Sequence, residues 1–202
     1  MRYIISPILT SLPLMVLPFT AIAEVPQVIT DIPAVQALVA QVMGDLGTPT
    51  LLLTKGADEH DFQLRPSQMQ AISEADLTVW IGPELTPWLE RALQSAGPDM
   101  ISLPLLDLEG TQTRMIGTPR HDDHEVEPEP NPAADGHDHS GIDPHAWLDP
   151  ANAVYWLDMI AVELASVDPD NALTYTANAT AAKLRVQALD SEIAALLAPV
   201  KD

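Results

Sequence analysis

Three features of this sequence predict an α/β fold, a parallel four-stranded sheet with flanking helices and a long helix near the C-terminal end. Short β-rich or continuously apolar runs alternate with segments of helical periodicity. One of those runs, Thr50–Thr54, has three leucines in a row, the pattern of a strand buried on both faces of a parallel sheet. Glycine and proline punctuate the junctions. Crossovers in such a sheet are right-handed, and ligands lie beyond the carboxyl ends of its strands.

The chain opens on residues that read as a targeting segment rather than as structure. Arg2 precedes an uncharged, mostly apolar run from Tyr3, and Ala21-Ile22-Ala23 is a small-x-small cleavage site, so a signal peptide spans 1–23 and the mature chain starts at Glu24. That stretch is short for a membrane span and has the wrong flanks, and no later uncharged run is long enough to cross a bilayer. An exported, soluble protein of a bacterial periplasm is expected. It has no cysteine, so its core and not disulfides must hold it together, and it lacks the lipid-bearing Cys of a tethered lipoprotein. Nine Lys plus Arg against 29 Asp plus Glu give a formal charge of −20, which argues against nucleic acid or other phosphate-rich partners. A field of that sign concentrates cations, but acidity also serves solubility and does not by itself imply a cation ligand.

Val25–Ile29 is the first predicted strand. Asp31 is the expected N-cap of a helix with Pro33 in its first turn and Val35, Leu38, Val39, Val42, Met43 and Leu46 at helical spacing. Gly47 and Pro49 turn the chain into the second strand, Thr50–Thr54. Pro66 starts a helix through Met69, Ile72 and Ala75, and Leu77–Ile81 is the third strand. Gly82-Pro83 precedes a helix carrying Trp88, Leu89, Ala92 and Leu93, and Met100–Leu106 is the fourth strand. Ala151–Ala165 reads as a helix, Asp168-Pro169-Asp170 as a turn, and Ala177, Ala181, Leu184, Ala188, Leu189, Ile193 and Leu196 as the apolar stripe of a long last helix.

Histidines carry the functional signal. His60 lies in Lys55-Gly-Ala-Asp-Glu-His-Asp-Phe62, directly after the second strand. His145 lies in Gly141-Ile-Asp-Pro-His-Ala-Trp-Leu-Asp-Pro150, where Pro144 and Pro150 each push the residue before them into extended backbone and stiffen the loop around the imidazole. A stiff loop suits a metal ligand, which must be held to a few tenths of an ångström, but a Pro-rich turn with a capping His fits that loop alone equally well. The topology can bring both histidines to one sheet edge, each beside carboxylates: Asp58, Glu59 and Asp61 in one loop, Asp143 and Asp149 in the other. Imidazole with carboxylate and no sulfur favours Zn2+, while copper and nickel accept the same donors.

Between the fourth strand and the second loop, the composition of 119–141 turns to His, Asp, Glu, Pro and Gly with almost no apolar bulk. Such a segment buries too little surface to offset its ordering entropy, so a disordered loop is expected. It holds His121, His124, His137 and His139, which suit weak auxiliary metal binding without fixed geometry, unless the segment is simply an acidic spacer.

Four motifs in the same chain carry a family resemblance: Lys55–Ser67, Glu74-Ala-Asp76 leading into Val79-Trp-Ile-Gly82, Asp143–Pro150, and Tyr175-Thr-Ala-Asn178 opening the long helix. Together they resemble the metal-binding solute receptors of bacterial zinc and manganese ABC importers. The His-acidic insertion points to the zinc-uptake branch, the ZnuA type. The resemblance implies two α/β lobes bridged by a rigid helix, with one metal between them that is delivered to a membrane permease. His60 and His145 match the ligands of the first lobe, and Glu59 matches a carboxylate that some zinc members place at the metal. Residues 24–172 then form the first lobe and 173–202 the start of the interlobe helix, as in a truncated gene or a partial chain, with a third ligand and often a carboxylate expected from a second lobe. On this reading the chain is a non-enzymatic zinc receptor of high-affinity uptake. The alternatives are a free-standing periplasmic zinc buffer or chaperone, a manganese receptor of the same family, and a zinc hydrolase, for which no H-E-x-x-H, G-x-S-x-G or thiol nucleophile is present.

Overall fold

The computed structural model describes residues 25–97, 100–116 and 141–200. The expected signal peptide (1–23) and His121, His124, His137 and His139 lie outside them. Four strands, β1 (Val28–Thr30), β2 (Thr50–Leu51), β3 (Leu77–Trp80) and β4 (Ser102–Pro104), pair in parallel in the order β2-β1-β3-β4. The two central strands are buried throughout, which is why they read as unbroken β-branched and apolar runs. The edge strands are shorter than their sequence patterns. Beyond β2, Leu52 and Leu53 stay buried and donate their amides to the Thr30 and Asp31 carbonyls at 2.9 and 3.0 Å.

Among the described residues there are five α-helices: α1 (Pro33–Met43), α2 (Pro66–Glu74), α3 (Pro87–Ala96), α4 (Pro150–Val167) and α5 (Ala172–Leu197). The first four open on a proline, whose fixed φ suits a first turn and whose missing N–H is not needed there. α1, α4 and α5 pack on one another, and α2 packs on α3. A short antiparallel pair, β5 (Met115–Ile116) with β6 (Gly141–Ile142), lies just ahead of the His145 loop. Two residues per strand leave no periodicity to detect, so the sequence did not reveal this pair.

One expectation is corrected here. Asp31 does not cap α1: Ile32 occupies that position without a side-chain cap, and the Asp31 carboxylate turns inward to the sheet. The apolar stripe assigned to α5 is exposed at every one of its positions, with Leu184, Leu189, Ile193 and Leu196 between 42% and 71% exposed. The buried face is instead Tyr175, Ala179 and Ala182. Small residues let α5 approach α4 and α1 closely, whereas a hydropathy pattern gives the larger leucines more weight. Among the described residues, no helix is long and apolar enough to cross a membrane.

Gly44 ends α1 at φ 56 and ψ −133, backbone that a side chain adopts only under strain. A Cβ there meets the Asn178 amide nitrogen at 2.6 Å, and that amide donates to the Val42 carbonyl at 3.0 Å, tying α5 to the end of α1. Gly44→Ala is therefore expected to destabilise the chain by about 1–3 kcal/mol in urea unfolding. A neutral result would mean that the turn relaxes freely.

Candidate metal centre

The two histidine loops meet. Glu59, His60 and His145 each offer a ligand atom, all lying within 4.8 Å of one another, and among the described residues they form the only such group of three. Tetrahedral zinc bonds of about 2.0–2.1 Å hold donors about 3.4 Å apart, so modest side-chain rotation brings these atoms onto one ion. The imidazole rings face edge to face with centroids 6.0 Å apart. Two nitrogens and a carboxylate oxygen fit zinc and leave a fourth position open.

His145 is oriented by its own loop. Asp143 accepts the His145 backbone N–H at 3.0 Å and lies 2.7 Å from Nδ1. The His145 backbone N–H, then its ring, hold the Asp143 carboxyl below its ordinary value, with a smaller attraction from Arg114. An ionised carboxylate can only accept, so Nδ1 carries the hydrogen and Nε2 keeps the lone pair a metal needs. Trp147 stacks obliquely on the same ring at 5.0 Å. Downstream, Asp149 caps α4 through the Ala151 amide at 2.9 Å. The Asn152 amide donates to the Ala146 carbonyl at 3.0 Å and the Gln112 carbonyl at 2.9 Å, locking the loop to the chain before β5. Both carboxylates read beside His145 thus act on the loop: one aims the ring, the other starts the helix.

His60 is placed differently. Asp58 accepts the His60 backbone N–H at 2.8 Å, closing a local turn. The Trp88 indole N–H, from the first turn of α3, donates to the Glu59 carbonyl at 2.8 Å. Sequence periodicity gave Trp88 only as a core residue of its helix, and nothing local marks a bond to a loop so distant in the chain. Against His145, a cavity of about 370 Å³ opens among Gln112, Arg114, Asp143, Leu148 and Asp149.

Several known proteins are similar to this chain. Residues 28–202 match the family model described as Zinc-uptake complex component A periplasmic. The High-affinity zinc uptake system protein ZnuA of Paracoccus denitrificans is 48% identical, over 89% of this chain and 59% of its own length. Its namesake from Brucella abortus is 32% identical over 87% of this chain and 59% of its own length. The chain therefore spans about three fifths of the length of these curated relatives. The Zn(II)-bound ZnuA-like domain of AdcA from Streptococcus pneumoniae superposes with a TM-score of 0.62 at 22% identity, covering 82% of this chain and 53% of that one, a likeness of fold. With the family model matched from the first strand through the long helix, the chain belongs to the periplasmic component A family of zinc-uptake complexes.

Proposed function

We propose that this chain captures Zn2+ in the periplasm through His60, His145 and Glu59, for delivery to the membrane permease of an ABC importer. The observation that carries the reading is the convergence of these three donors from two separate loops. The name of the 48% identical relative supports zinc as the cargo. The family is one of uptake receptors, not enzymes, so the site binds and releases its metal without chemistry on it. The open fourth position is where a donor from a second lobe belongs. The segment 119–141, with His121, His124, His137 and His139, serves as a weak collector that raises the local zinc concentration.

Deleting 119–140, which leaves β6 whole, tests the reading against a zinc buffer. A receptor keeps its tightest binding event by calorimetry and loses only weakly bound ions, whereas a buffer loses nearly all of its capacity. Affinity for the tight event is also expected to drop as pH falls from about 7.5 to about 5.5, because protons and zinc compete for the same imidazole lone pairs. Affinity that is flat across that range would point to carboxylate ligands alone.

A further inference from the structure

We propose that Trp88 is a positioning residue of the metal centre, fixing the backbone from which His60 reaches His145. The inference rests on the reading of His60 as a donor given above. Residues 55–62 form neither helix nor strand, and Gly56 sits at φ 80 within them. Their own hydrogen bonds are local: Ala57 N–H to the Thr54 carbonyl and His60 N–H to Asp58. Trp88 grips the segment on both sides of His60. Ahead of it, the indole N–H holds the Glu59 carbonyl at 2.8 Å; after it, the Phe62 ring meets the indole edge-on at 5.1 Å.

The grip is anchored in the core. Trp88 is 4% exposed, and its neighbours Leu85 and Leu89 are fully buried. The Thr86 hydroxyl, at the start of α3, lies 3.3 Å from both the Asp31 carboxylate and the Gly82 carbonyl oxygen and shares its one hydrogen between them. The two ligand loops are therefore organised by different means. His145 has a carboxylate on its ring and prolines around it, whereas among the described residues no hydrogen bond reaches the His60 ring, and its placement comes through its backbone. A donor held only by its backbone depends on whatever holds that backbone.

Trp88→Phe keeps a ring against Phe62 and the core and removes the one N–H. In the 202-residue chain it is expected to weaken the tight zinc event about tenfold, the equivalent of one hydrogen bond. Amide hydrogen exchange of the metal-free protein should speed up within 55–62 and stay unchanged within 143–149, with zinc restoring the protection. Phe62→Leu, at a half-buried position that does not threaten folding, should act in the same direction more weakly. Unchanged affinity in both variants overturns the proposal, and so does exchange that rises equally in both loops, the mark of a merely structural residue. Tight binding that survives His60→Ala overturns the site assignment itself, and the role of Trp88 with it.

Discussion

His60→Ala and His145→Ala are each expected to weaken the tight zinc event by at least about a hundredfold, a cost of about 2.7 kcal/mol or more. Binding by a small donor set leaves no reserve: removing one imidazole of two leaves a single nitrogen and a carboxylate, with water filling the rest. Outer partners matter less, and Asp143→Ala, which frees the His145 ring to choose its tautomer, is expected to cost about 10- to 100-fold. Replacing His121, His124, His137 and His139 together should reduce the number of weakly bound ions and leave the tightest event in place. Calorimetry with a competing chelator separates the two classes. If the loop histidines prove more costly to lose than His60, the tight site lies in 119–141 and the convergence of Glu59, His60 and His145 has another purpose.

Much of the sheet was legible because its physics is local. Val28–Thr30 and Leu77–Trp80 are short, apolar and buried on every face, and Pro33 and Pro66 mark helix starts by their own covalent geometry. The meeting of the two histidine loops was legible only as a possibility of topology, since strand order decides which loops share an edge. Other features depend on side chains finding partners far along the chain. Trp88 on the Glu59 carbonyl and Asn152 between Gln112 and Ala146 leave no periodic trace, and the buried face of α5, Tyr175, Ala179 and Ala182, keeps helical spacing but is outweighed in hydropathy by the exposed leucines. Asp31 was misread for the same reason: an acidic residue two positions before a helix proline matches a cap by pattern, while its distant partners, Ile81 and Thr86, lie just after β3 and just before α3.

Asp31→Ala is expected to be the most destabilising single substitution outside the metal centre. The strand order reverses between β1 and β3, and the Asp31 carboxylate fills that junction. It accepts the Ile32 N–H at 2.7 Å, the Ile81 N–H at 2.8 Å and the Thr86 hydroxyl at 3.3 Å. Thr86 can turn to the Gly82 carbonyl when the carboxylate is gone, but the two backbone N–H groups are left buried and unpaired. At about 1–3 kcal/mol each, their loss sums to about 4 kcal/mol, a large share of the stability of an ordinary domain. The titration of the carboxyl gives a second, signed test. Burial pushes Asp31 from its ordinary 3.8 up to about 6, outweighing the backbone N–H bonds that favour the charged form. Between those values the native chain holds a proton that the unfolded chain has released. The stabilisation linked to that proton is complete below about pH 3.8 and is lost as pH rises through about 6. The gap between the two values corresponds to about 3 kcal/mol. Asp31→Asn cannot titrate, and it still places one oxygen for one of the two N–H groups. The advantage of the native chain over Asp31→Asn should therefore be largest at and below about pH 4 and shrink by about 2 kcal/mol between about pH 4 and about pH 7, as read by urea unfolding at several pH values. An advantage that stays constant across that range would show that the native carboxyl does not titrate there, and that its hydrogen bonds outweigh its burial.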